Sequence, residues 1–241
     1  MDHDGGDFMT TRWSLVEAAG AADDQRARHA LASLCQAYWL PLYAFVRRRG
    51  VAAADAEDVV QGFFARLVET RDLAKFVRGE ERFRSFLRTA IANYLANVRA
   101  GERAAKRGGG RVVLAIDAPD AERRLALAPA QDASPEDAFD RDWAREVIRI
   151  ALEGLRTDYE RTGRGAVFTA LEPFLQAGEG APPIADVARR LEKDEVAVRV
   201  ALHRLRERFR RRLDSELAGT LTDPAAVAEE RGRLLRALAR P

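Results

Sequence analysis

Apolar side chains recur along this chain at intervals of three and four, a spacing that predicts helices and not strands. After a polar start over residues 1–10, Thr11 to Ala19 reads as a short helix with Trp13 and Val16 as its apolar contacts. From Arg26 onward, Leu31, Leu34, Cys35, Tyr38, Leu42 and Phe45 share one face. Pro41 lacks an amide hydrogen and predicts a kink there. Arg47, Arg48, Arg49 and Gly50 supply the cations and the glycine that suit a helix C-terminus. Asp55 is the expected N-cap of the next helix, with Glu57 and Asp58 in its first turn. Val59, Val60, Phe63, Phe64, Leu67 and Val68 give that helix a broad apolar face. A polar loop over residues 75–82 precedes a third helix from Phe83 to about Arg99, striped by Leu87, Ile91, Tyr94 and Val98.

The pattern then fades. Residues 111–137 read as a flexible linker, punctuated by Pro119, Pro129 and Pro135, with residues 111–116 extended but lacking a strand partner. Helical spacing returns with Phe139, Trp143, Val147, Ile150 and Leu155, then with Val167, Leu171 and Phe174, broken near Pro173. A loop over 178–183 leads to a short helix over 184–191 and a long one from Glu195 to about Leu217. Asp223 and Pro224 mark the cap and first turn of a last helix, with Leu234, Leu235 and Leu238 apolar. The expected fold is therefore all-α. It divides into an N-terminal segment (1–25), a first helical domain (26–110), the linker (111–137), a second domain containing a helix-turn-helix (138–217) and a C-terminal helical extension (218–241).

Composition narrows the function classes. Apolar residues make up 47% of the 241 positions, enough for real cores, and aromatics only 7%, which favours helix over strand. One cysteine, Cys35, excludes an internal disulfide framework and any cysteine-rich metal site, and suits a reducing, cytoplasmic setting. The start, Met1 to Asp7, is acidic and polar, unlike a signal peptide. The uncharged run over residues 31–46, interrupted by Gln36 and Pro41, is shorter than the roughly 20 residues of a membrane span, so no membrane insertion is expected. His3, His29 and His203 are far apart, and no catalytic constellation emerges. The expectation is a protein that is not an enzyme and needs no cofactor or metal.

Net charge is only +2, so the distribution of charge carries the information. From Arg199 to Arg212 there are seven arginines and one histidine against Glu207 alone. Val198, Leu202, Leu205, Phe209 and Leu213 form the stripe that should pack inward, and Arg199, His203, Arg206 and Arg210 the neighbouring outward stripe. Val187, Ala188 and Leu191 face inward from the preceding short helix, Glu192-Lys193-Asp194 forms the turn, and Asp194 caps the basic helix. Such a helix fits the major groove of DNA, and its arginines neutralise phosphates and release counterions. A solvated charged face is the ordinary alternative for a charge run. The nearly uniform sign and the short helix before it favour DNA.

Three strings in order resemble the bacterial RNA polymerase sigma factors of the extracytoplasmic-function type. Asp55-Ala-Glu-Asp-Val-Val-Gln-Gly-Phe-Phe-Ala-Arg-Leu67 is similar to the family's polymerase-docking helix. Phe83-Arg-Ser-Phe-Leu-Arg-Thr-Ala-Ile-Ala-Asn93 is similar to its promoter-melting helix, and Val198-Arg-Val-Ala-Leu-His-Arg-Leu-Arg206 to its promoter-recognition helix. The resemblance covers roughly residues 26–110 and 138–213. It implies core RNA polymerase and promoter DNA as partners, with an inhibitory anti-sigma protein as a further candidate. Asp55, Asp58 and Gln61 would meet the polymerase clamp, although Asp55 and Asp58 also serve as cap and dipole partner. The loop over 76–83 would border a flipped base, with Arg82 and Asn93 touching the strand, while Phe83 and Phe86, either taken alone, read more readily as core packing. Arg99, Arg103, Lys106 and Arg107 would lie along duplex phosphates, with Arg111 continuing the run. The acidic later linker (Asp117, Asp120, Glu122, Asp132) would thread into the polymerase cleft or act as a tether.

The chain also departs from the family pattern. Glu192 stands where glycine is common in the turn, at a cost of roughly 1–2 kcal/mol if the position is left-handed. Lys193 replaces a usual apolar residue, and Val200 and Ala201 occupy positions where polar side chains often read bases. Base contacts are therefore expected from Arg199, His203 and Arg204, and phosphate contacts from Arg206 and Arg210. The last helix is extra to the family plan. Two other readings remain open: a helix-turn-helix regulator acting without polymerase docking, and a helical interaction protein with no role on DNA.

Overall fold

The computed structural model describes residues 25–69, 83–102, 122–123, 134–175, 180–221 and 223–239. Among the described residues every regular element is helical, as the spacing predicts. They are α1 (Gln25–Arg48), α2 (Ala53–Glu69), α3 (Phe83–Glu102), α4 (Pro135–Arg161), α5 (Gly165–Leu171), α6 (Ile184–Arg190), α7 (Glu195–Ala218) and α8 (Val227–Ala239), with 3-10 turns at Glu172–Leu175 and Pro224–Ala226. The short helix expected over 11–19, the loop over 75–82 and the extended stretch over 111–116 lie outside the described residues.

The helix ends follow local chemistry. α1 runs through Pro41 and stops at Gly50, whose φ of 84° is left-handed. The Gly50 amide donates to the Arg47 carbonyl at 2.9 Å and the Val51 amide to the Val46 carbonyl at 3.5 Å, the paired bonds of a Schellman end. Ser134 caps α4: its Oγ accepts from the Asp137 amide at 3.1 Å and donates to the Asp137 carboxylate at 2.8 Å. Pro135 takes the first helical position, where a missing amide hydrogen costs nothing. One cap differs from expectation. α2 begins at Ala53, and the Ala52 carbonyl accepts from the Asp55 and Ala56 amides, so Asp55 lies within the first turn and is not the N-cap. Ala53 and Ala54 are strong helix formers and extend the helix back past it.

The described residues divide into two compact units, one within Met1–Glu146 and Leu217–Pro241, the other within Val147–Glu216. The division falls inside α4, and not at the linker boundary expected near residue 137. Phe139 and Trp143, expected in the second core, belong to the first unit. Phe45 meets Phe139 edge-on at 5.9 Å, and Tyr38 stacks on Trp143 at 6.5 Å. Length is the reason: α4 has 27 residues, about 1.5 Å each along its axis, so its two ends serve different cores.

The first unit also takes the C-terminal helix. Arg84 of α3, only 7% exposed, pairs with Glu230 of α8, only 2% exposed. Arg84 also lies 3.3 Å from the Asp140 carboxylate and 4.8 Å over the Trp143 ring. Tyr38 is buried beside Trp143 and Thr220, and burial pushes its hydroxyl well above the usual tyrosine range. Part of the expected linker is held to this unit as well. Glu122 accepts from the Tyr43 hydroxyl at 2.6 Å and from Arg47 Nε at 2.7 Å. Among the described residues no helix is long and apolar enough to cross a membrane.

Candidate nucleic-acid interface

The second unit is built around one aliphatic and aromatic cluster. Leu155 and Tyr159 of α4, Phe168 and Leu171 of α5, and Val187 and Ala188 of α6 meet Val198, Leu202 and Leu205 of α7, all buried. Phe209, Leu191 and Ala201 pack against it, partly buried. The inward stripe read from the sequence is thus the packed face of α7. Ala201, read there as a DNA-facing position, instead contributes to the core.

The turn between α6 and α7 is tight. The Asp194 carboxylate accepts from the Ala197 amide at 2.6 Å, the N-cap expected of it. Glu192 has a φ of 52°, the left-handed conformation that glycine adopts freely. Its amide donates to the Arg189 carbonyl at 3.2 Å and the Lys193 amide to the Ala188 carbonyl at 3.0 Å. α4 ends with the same pair of bonds at Gly163, φ 68°. The backbone demand is identical, and at Glu192 a side chain bears it.

On the outer face Arg199, His203, Arg204, Arg206 and Arg210 are all exposed. They differ in their partners. Arg199 pairs with Glu195 at 2.8 Å one turn earlier, and Arg206 donates to the Phe174 carbonyl at 3.4 Å. Two arginines outside the expected stripe are also engaged: Arg212 pairs with Asp158 at 2.6 Å and Arg208 covers the Tyr159 ring at 5.5 Å. Arg211 reaches Glu207 at 3.4 Å. Among the described residues His203, Arg204 and Arg210 have no ion pair, so the charge of the two arginines is open to an external anion.

The remaining predicted residues fall in the first unit. Asp55 and Asp58 are exposed on α2, and half-buried Gln61 donates to Glu57 at 2.9 Å. Asn93 is exposed on α3 and borders a cavity of about 220 Å³ between α2 and α3. Phe63, Arg66, Phe86, Tyr94 and Asn97 line it too, none of them a site candidate in the sequence. Gly62 lets the two helices approach, because a Cβ there would meet the Tyr94 hydroxyl at 2.5 Å. Burial raises the Tyr94 pKa, opposed by the charge of Arg66. Phe83, by contrast, is core, edge-on to Tyr38 at 5.3 Å. Arg99 lies in α3; Arg82, Arg103, Lys106 and Arg107 lie outside the described residues. Among the described residues no group of His, Cys, Asp and Glu is arranged to hold a metal ion.

No protein-family model matches the chain, and no curated protein matches it by sequence.

Proposed function

We propose that this chain is a promoter-specificity subunit of the sigma type: it binds core RNA polymerase, recognises promoter DNA and assists its melting, working through binding energy and not covalent chemistry. The observation that carries this reading is α7, whose apolar stripe is buried while its opposite face exposes arginines, two of them without an ion pair among the described residues. A helix held in this way enters a major groove without unfolding its own domain. The carboxylates of Asp55 and Asp58, exposed on α2, are suited to a basic partner surface, where opposite charge steers association more than it adds affinity. The cavity beside Asn93 supports the melting role: its aromatic, amide and guanidinium groups are of the kind that stack on and hydrogen-bond an unstacked base.

Run-off transcription with core polymerase on genomic DNA, with and without the chain, tests the proposal. New, discrete start sites are expected with it. A pull-down showing no association with core polymerase overturns the reading, and DNA binding without that association assigns the chain instead to regulators that act without polymerase. Asp55→Lys with Asp58→Lys should weaken polymerase binding while leaving the melting temperature within a few degrees of the parent. An equal loss of both would mean that these carboxylates serve only the helix.

A further inference from the structure

The exposed face of α7 is not uniformly basic. Val196 is 67% exposed and Val200 45%, and among the described residues the only other large apolar side chain so exposed is Leu235, in the other unit. Leaving two branched aliphatic side chains in water forgoes burial free energy. Their placement is specific. At roughly 100° per residue, Val196, Val200, His203 and Glu207 form the line opposite buried Leu205. Arg199, Arg206 and Arg210 run along one flank of that line, and Arg204 and Arg211 along the other. The valines occupy its N-terminal end, just after the Asp194 cap.

A helix lying in a major groove turns its central line to the base edges and its flanks to the two phosphate backbones. The flanking arginines fit the backbones. On the central line the first two side chains have neither a donor nor an acceptor. The one base-edge feature of the major groove that an apolar side chain recognises is the thymine C5 methyl group. We propose that Val196 and Val200 are specificity-determining residues that read thymine methyl groups at two nearby positions of the bound site, and that Arg199 and Arg204 act mainly on phosphates. The inference rests on the DNA-binding part of the function proposed above.

The test begins by selecting duplexes that bind the full-length chain from a random pool. Thymine should be enriched at two positions within one half-turn of the duplex. Each of these thymines is then replaced by uracil, which removes the methyl group and leaves every hydrogen-bonding edge intact. Loss of one buried methyl should weaken binding about threefold to fourfold. Val200→Ala should bind the thymine and uracil forms of one position alike, and Val196→Ala those of the other. Arg210→Ala should weaken both forms equally and keep their ratio. Selective binding that ignores the methyl, a selected site without thymine, or a preference that survives both valine substitutions overturns this inference and leaves the functional reading standing. Absence of any salt-sensitive DNA binding overturns both.

Discussion

Arginine does two different jobs in two regions of this molecule. In the first unit Arg84 is enclosed, held by Glu230 and Asp140 and stacked over Trp143. In the second unit Arg204 and Arg210 stand on the outer face of α7, exposed and without an ion pair among the described residues. An enclosed guanidinium has exchanged its water for fixed partners, so its charge is neutralised within the fold. An open one keeps its charge for an external anion. Residue type is the same in both places; burial and pairing decide the role.

The sharpest way to break this contrast is to remove the partner of the enclosed cation. Glu230→Ala leaves Arg84 buried with only part of its compensation, and breaking a buried pair from one side costs about 3–5 kcal/mol. Thermal unfolding should show the loss, with the lower end favoured because Asp140 remains. A change below about 0.5 kcal/mol, the range of ordinary surface substitutions, would mean that the pair does not hold α8 to α3.

The open cations should behave in the opposite way. Arg204→Ala with Arg210→Ala should leave stability within about 0.5 kcal/mol, as expected for exposed sites. The same variant should lower the slope of log affinity against log salt by about 0.9 for each phosphate that is no longer neutralised. Binding isotherms across a salt series measure this. An unchanged slope would remove these residues from the proposed DNA interface.

A smaller effect extends the contrast to the backbone. Gly163 and Glu192 close their helices with the same two hydrogen bonds, yet only Glu192 carries a side chain at positive φ. Left-handed geometry costs roughly 1–2 kcal/mol, partly offset because glycine loses more chain entropy on folding, about 0.4–1 kcal/mol. Glu192→Gly should therefore stabilise the second unit modestly, by about 0.5–1 kcal/mol on these figures. Denaturant unfolding checks the sign, and destabilisation would mean that the Glu192 side chain makes a compensating contact.

Much of this contrast is legible in the sequence, and the reasons for the gaps are physical. Val198, Leu202 and Leu205 at helical spacing foretell the buried face of α7, and a short side-chain oxygen at Asp194 foretells its cap. Departure from glycine at 192 even locates the strained turn. What spacing does not tell is which core an apolar residue joins. Phe139 and Trp143 lie on a helix long enough to serve two, and only tertiary contact assigns them to the first unit. Arg84 sits in a string that also contains Arg88, and no local pattern distinguishes the enclosed arginine from its half-exposed neighbour. Val196 is marked only by its place opposite Leu205 on the helix, a weaker signal than the run of cations that follows it.

Arg47 is the intermediate case, and it sharpens the contrast with the smallest effect. Its guanidinium is half-buried, and it meets Glu122 from a segment whose sequence reads as linker. Hydrogen bonds from Arg47 and then from Tyr43 hold the Glu122 carboxyl below the usual glutamate range. Burial, and then the bond and charge of Glu122, push the Tyr43 hydroxyl up to about 12. Glu122, with its folded pKa depressed, stabilises the tether above its unfolded pKa, and that contribution is lost as pH falls through the depressed value. Tyr43, with its folded pKa raised, stabilises it below the ordinary tyrosine value of about 10, and that contribution is lost as pH rises through about 12. The tether should thus persist across the neutral range and release at both extremes. Glu122→Gln should remove the acid-side dependence and, in an absorbance titration of the four tyrosines, move one late transition down toward 10, short of it because burial remains the larger cause. A titration curve that does not change would place Glu122 with the open charges and not with the enclosed ones.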